Sequence, residues 1–211
     1  MKKNILFYLC IAGVSFSVLI LNGCLSVPDS PKPRLYMPFS AAGSQDIQKF
    51  EFPYQCIIGV GPVKIPEYLN RPQIVTRGKD NLLTFAQFDR WAEPLDAALL
   101  RMLNENISAM LSGAEVMKFN WSILAPVKYQ VSVDIIKIES DLDKDLELVA
   151  QWSIFDLNIR ELIFTKRTQL FEPVQPNDYF GLNQALSSAV TKLSIEIAQK
   201  LSELDKKDKI R

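Results

Sequence analysis

Two runs of apolar and polar alternation constrain this chain more than any other feature. Tyr129, Val131, Val133 and Ile135 alternate with Gln130, Ser132 and Asp134, and Leu146, Leu148, Ala150, Trp152 and Ile154 repeat the pattern. A period of two puts one row of side chains in a core and the other in water, so both runs read as half-buried strands. The charged link Asp141–Asp145 separates them, and a tight turn at Leu157–Asn158 leads into a third strand, roughly Arg160 to Phe171. Links this short pair neighbouring strands antiparallel.

The same chain carries two helical stripes. Leu95, Leu99, Met102, Leu103 and Met110 fall on one face of a helix that starts near Glu93-Pro94, where proline's missing N–H costs little and Asp96 suits the dipole. Asn106 lies on that face and must find hydrogen-bond partners if buried; Gly113 is the expected stop. A longer helix is expected from Asp178 to Leu204, where Leu182, Leu186, Ala189, Val190, Leu193, Ile197, Leu201 and Leu204 keep a 3-4 rhythm. Ile195 points away from that stripe, which makes it a candidate for contact with a neighbour. Shorter strands are expected at Arg34–Met37 and Gln55–Ile65, the latter bulged or at an edge because of Gly59, Gly61 and Pro62. Gln73–Arg77 and Leu82–Phe85 flank the turn residues Gly78–Asn81 as a hairpin. Together these elements predict an α+β fold: one two-layer domain over residues 34–204, with a mixed, largely antiparallel sheet and two long helices on one of its faces.

The amino terminus places this domain in a compartment. Lys2 and Lys3 precede an uncharged apolar run from Ile5 to Leu21 that ends at Leu21-Asn22-Gly23-Cys24. The pattern is that of a removed signal peptide, residues 1–23, and the last four residues resemble the bacterial lipobox, with small Gly23 before the cleavage point and Cys24 as the lipid acceptor. Pro28, Pro31 and Pro33 make residues 24–33 a stiff tether, and residues 205–211 form a charged tail expected to fray. Each buried acyl methylene stabilises membrane attachment by about 0.8 kcal/mol. Leu25, rather than an aspartate, follows Cys24, which by analogy with bacterial lipoproteins favours the outer membrane, with the domain facing the periplasm. Loss of the leader removes Lys2 and Lys3 from the 24 basic residues against 24 acidic, leaving a near-neutral chain without the basic bias of nucleic-acid binders.

Residue types also limit the chemistry. There is no histidine, which removes imidazole-activated nucleophiles and imidazole zinc sites, and of three cysteines only Cys56 would stay free. A disulfide framework is excluded, and Cys56 in its apolar run reads as a buried, inert thiol. Asp89 and Glu93 could form a carboxylate pair, but any chain supplies such pairs by chance. Neither an enzyme nor a bound cofactor is expected, apart from the covalent lipid on Cys24.

The strings Gly59-Val60-Gly61-Pro62-Val63, Ile65 to Arg77 (with Tyr68-Leu69-Asn70-Arg71-Pro72 at its centre) and Arg90-Trp91-Ala92-Glu93-Pro94-Leu95 stand out. Together with the Tyr129–Ile138 strand and Ala150-Gln151-Trp152, they resemble the PqiC family of auxiliary lipoproteins of ABC-type and MCE-type intermembrane transport. The resemblance implies a non-enzymatic outer-membrane lipoprotein whose subunits form a ring, a collar around the end of a PqiB-like MCE-domain tunnel protein held by its inner-membrane partner. Lipid would then cross the envelope without meeting water. Within the 68–77 segment, Tyr68, Leu69 and Arg71 are candidate partner contacts, with core packing as the competing role; Trp91 and Pro94 read mainly as packing and helix start. A lipid-binding module carrying one lipid in its own pocket, or an envelope scaffold without a transport role, remain as alternatives.

Overall fold

The computed structural model describes residues 31–52, 56–78, 80–120 and 126–208. The chain divides into two units, Met1–Lys32 and Pro33–Arg211, and the architecture below is that of the second. The expected signal peptide, the Gly23-Cys24 junction and most of the tether lie outside the described residues. Among the described residues no helix is long and apolar enough to cross a membrane.

The two alternating runs and the segment after them form the three strands expected of them. In chain order the strands are β1 (Arg34–Tyr36), β2 (Phe50–Glu51), β3 (Ile57–Lys64), β4 (Gln73–Arg77), β5 (Leu83–Trp91), β6 (Leu111–Ser112), β7 (Glu115–Lys118), β8 (Val127–Glu139), β9 (Leu146–Asp156) and β10 (Glu161–Glu172). Helix α1 is Leu95–Met110 and α2 is Tyr179–Asp208. The long strands make a five-stranded sheet in the order β10-β9-β8-β3-β7, beside a three-stranded sheet β1-β5-β4 and a short pair β2-β6. β8, β9 and β10 meander antiparallel, whereas β3 pairs parallel with both β8 and β7. The fold is α+β as expected, with its strands divided among separate sheets.

Three expectations need adjustment. β3 lies inside the sheet; Gly61 and Pro62 mark a bulge, because the β3–β8 register breaks between Val60 and Val63. Helix α1 ends at Met110, before Gly113, because Leu111 and Ser112 leave the helix to pair with β2. Gly113 serves the turn that follows: its φ is +102°, and a Cβ there would lie 2.5 Å from the Phe52 carbonyl oxygen. Helix α2 runs past Leu204 to Asp208, and Asp205, expected at the head of a frayed tail, is fully buried and receives Lys128 Nζ at 3.0 Å.

Both helices cover one face of the large sheet. Leu95, Leu99, Met102, Leu103 and Met110 of α1 meet Leu182, Leu186, Val190, Leu193 and Ile197 of α2 in one core with Val131, Val133, Leu148, Trp152 and Ile154. Asn106, fully buried between the helices, finds its partners: Nδ2 donates to Ser194 Oγ (3.3 Å) and Oδ1 accepts from the Ala41 N–H (2.8 Å). At the start of α2 the Asp178 carboxylate accepts from the Gly181 N–H at 2.8 Å, which caps the helix. Gly181 is required there, since a Cβ would stand 1.9 Å from the Pro176 carbonyl oxygen.

Candidate interaction site

The segment between β3 and β4 closes a one-turn 3-10 helix, Glu67–Leu69. Leu69 is buried in the core and fixes this turn, so its role is packing. Tyr68 is half-buried and turns toward the β8 end, where its hydroxyl donates to Glu139 Oε1 at 3.4 Å. Burial, with the Glu139 charge beside it, holds the Tyr68 phenol above its ordinary pKa. Glu139 also accepts Arg77 at 2.7 Å and Lys137 at 3.3 Å, so Tyr68 belongs to an ion network at the end of β8, the central strand of the large sheet.

Arg71 behaves differently. Its guanidinium lies 4.2 Å from the centre of the Phe85 ring, on the outward side of the small sheet, and its buried Nε has no hydrogen-bond partner in the described structure. Directly after it, the Pro72 carbonyl accepts the Trp91 N–H at 2.8 Å, which locks the loop against the end of β5. The result is an open pocket of about 320 Å³ lined by Asn70, Arg71, Pro72, Trp91, Glu93 and Pro94, with Ala92 at its edge. Two prolines and a buried tryptophan give it stiff apolar walls. Glu93 holds the far rim, fixed by Arg101 through bonds of 3.0 and 2.7 Å.

Such a pocket suits an apolar side chain of a partner, with the Arg71 guanidinium on its wall. Rigid pockets joining an arginine to aromatic surface have the composition of binding hot spots. Of the four candidate contacts, Arg71 alone lines the pocket. Ile195, on α2, is half-buried and packs against the core instead of being exposed. Trp91 and Pro94, expected mainly to pack and to start the helix, line the pocket as well. Phe85 was outside the sequence expectation; its signal was an aromatic residue on the polar row of a hairpin strand.

The proposed carboxylate pair has other duties. Asp89 is buried and bonds Arg34 (2.8 Å) and the Tyr36 hydroxyl (2.9 Å), while Glu93 serves Arg101. Cys56 is half-exposed where full burial was expected, and desolvation pushes its thiol up to about 11. Among the described residues there is no group of three or more metal-ligating side chains.

The fold is a small α+β domain, and the residues of the strings that stand out in its sequence meet at a surface pocket. The profile of the family described as ABC-type transport auxiliary lipoprotein component matches residues 43–198, and the chain belongs to that family. It is the PqiC-like family that the sequence resembles. The crystal structure of an uncharacterized protein superposes with a TM-score of 0.67 at 19% identity, over 81% of this chain and 99% of the other. A Xanthomonas campestris protein of the DUF330 family superposes with a TM-score of 0.64 at 13% identity, over 84% of this chain and all (100%) of the other. At these identities the likeness is one of fold. No curated protein matches the chain.

Proposed function

We propose that this auxiliary lipoprotein is held on the outer membrane by lipid on Cys24 and assembles with copies of itself into a collar. The collar docks a PqiB-like MCE-domain tunnel protein anchored through its inner-membrane partner. The physical need is a dry path: an acyl chain released into water costs about 0.8 kcal/mol per methylene, which a continuous conduit avoids.

One observation carries the reading beyond family membership. The residues that bear the family resemblance, Arg71 and Pro72 in one string and Trp91, Glu93 and Pro94 in another, converge on a single open pocket. A string that only filled the core would leave no such opening. In this turn Leu69 is buried in the core and Tyr68 packs against it, while Arg71 lines the opening.

The test is capture from envelope extract with the lipidated protein as bait. The native chain is expected to retain copies of itself and an MCE-domain protein, and Arg71→Glu to lose them while melting at the same temperature. Unchanged capture by a folded Arg71→Glu chain would remove the pocket from the contact. A monomer that co-purifies with one lipid would favour the lipid-binding alternative, and unaltered lipid distribution after deletion would favour a scaffold.

A further inference from the structure

The first segment of the domain has its amphipathicity inverted. Along Arg34–Phe39 the inward positions are Tyr36, half-buried, and Pro38, buried, while Leu35, Met37 and Phe39 face outward at 64%, 55% and 54% exposure. Three large apolar side chains in a row on the solvent side of an extended segment are unusual in a monomer surface, where apolar residues scatter singly.

The segment is firmly held. β1 pairs parallel with β5, and the Ala92 N–H donates to the Tyr36 carbonyl at 2.8 Å. Arg101 reaches the Pro38 carbonyl (2.9 Å), and the Phe39 N–H donates to Ser187 Oγ (3.1 Å). Asn183 Nδ2 approaches the Met37 carbonyl at 3.4 Å. Phe180, 51% exposed, precedes Asn183 and Ser187 by three and seven residues and shares their face of α2, which extends the patch onto the helix.

We infer that Leu35, Met37, Phe39 and Phe180 form a membrane-contact face that seats this domain on the lipid bilayer. The inference rests on the reading of Cys24 as the lipid anchor. Leu35 follows Cys24 by eleven residues, so even a fully extended tether leaves the patch within about 40 Å of the acyl chains. An anchor that short keeps this patch close to the headgroup region. Arg34 at its border is 67% exposed along its side chain; Nε and NH2 hold Asp89 at 2.8 Å, which leaves NH1 outside that pair for a lipid phosphate. A second copy of the chain would need a matching surface; a bilayer needs only apolar side chains and a cation at their edge.

The consequence reaches the pocket. Arg101 NH2 bonds both the Pro38 carbonyl and Glu93, so the seated segment and the pocket rim share one side chain. The partner contact is therefore made next to the membrane, with the domain held in one orientation.

The test uses the full chain, processed and lipidated in cells, with Cys56→Ala and a single environment-sensitive dye on Met37→Cys. The control carries the dye on Gln151→Cys, on the exposed polar row of β9. Both go into vesicles of phosphatidylethanolamine with a minor fraction of phosphatidylglycerol, some bearing a quencher on the acyl chain. Interfacial side chains sit about 5–10 Å into the headgroup and acyl boundary, so quenching at position 37 is expected to exceed that at 151 by at least about twofold. Adding Phe39→Glu and Phe180→Glu should bring it down to the control. Equal quenching at both positions overturns the inference, as does a blue shift at 37 that acyl-chain quenchers leave untouched, which would mean protein contact. Intact mass of the same preparation reports the anchor separately: an unmodified Cys24 would remove the premise and the inference with it.

Discussion

The large and small sheets of this domain use their two faces differently. In the five-stranded sheet the covered row is apolar, with Val131, Val133, Leu148, Ala150, Trp152 and Ile154 almost free of solvent, and the open row runs through Ser132, Asp134, Gln151 and Arg167. In the three-stranded sheet the covered side sets Asp89, with Arg34 and Tyr36 drawn to it, beside the core residues Ile74 and Trp91, and the open side shows Leu35 and Phe85. The first pattern is what burial of apolar surface produces. The second costs folding free energy on both faces, and it occurs where the family strings meet. On the proposed reading stability lies in the large sheet and recognition in the small one, and substitutions can separate the two.

The largest effect is expected at Trp152. Its ring is buried, 5.1 Å from the Phe164 ring centre, and its Nε1 donates to Thr168 Oγ1 at 3.0 Å, which in turn donates to Glu196 at 2.6 Å. Trp152→Ala should cost about 4 kcal/mol through the cavity left behind, read as a lower urea midpoint. A loss under about 1 kcal/mol would mean that the large sheet is not the stabilising half.

Next is the pair that closes the far end of α2. Asp205 is fully buried, while Lys128 keeps 19% of its side chain exposed and also lies 4.7 Å from the Tyr129 ring centre. Asp205→Ala should cost about 3 kcal/mol, the low end for breaking a buried ion pair, because Lys128 retains a path to water. Hydrogen exchange should show the last turn of α2 opening with it; unchanged protection would make the pair incidental.

Asp205 also shows where the sequence stopped being legible. The alternation of β8 to β10 and the stripes of both helices could be read because each is a local period set by one buried face. The end of α2 could not, since the partner that buries Asp205 is 77 residues earlier in the chain. The parallel pairing of β1 with β5 and of β3 with β8 joins segments far apart in sequence, and no local pattern announces it. β5 was read only to Phe85 because Asp89, turned inward, breaks the apolar alternation; Arg34 and Tyr36 compensate it from another strand. The site was half legible. The strings named Arg71 and Trp91, but their meeting depends on the Pro72 to Trp91 bond across the hairpin end.

A smaller effect is expected at Cys56, at the entry to β3 in the large sheet. Burial comes first in raising its thiol from 9.0 to about 11, with the Asp205 charge second. Folding thus favours the neutral thiol, so that contribution persists below pH 9 and is lost as pH climbs toward 11 and the unfolded chain releases its proton first. At pH 8 the native thiolate fraction is lower than in the unfolded chain by on the order of 100-fold. The higher pKa makes that thiolate intrinsically more nucleophilic, which recovers about tenfold and leaves alkylation slower by about tenfold. Equal rates in native protein and in urea would show that this edge of the large sheet opens freely.

The smallest stability effect, and the sharpest division between the sheets, is expected at Phe85. The ring is 46% exposed, and its main contact is the Arg71 guanidinium. An exposed cation–π pair contributes about 0.5–1 kcal/mol, so Phe85→Ala should leave the urea midpoint almost unchanged. Partner capture should fall nonetheless, because Arg71 would lose the ring that holds its guanidinium at the pocket, and the same donor would then have to be ordered during binding. Phe85→Tyr keeps that face and should restore capture. A Phe85→Ala chain that loses more than about 2 kcal/mol yet captures its partner normally would place this aromatic ring with the core, and the different use of the two sheets would be wrong at the residue where it matters most.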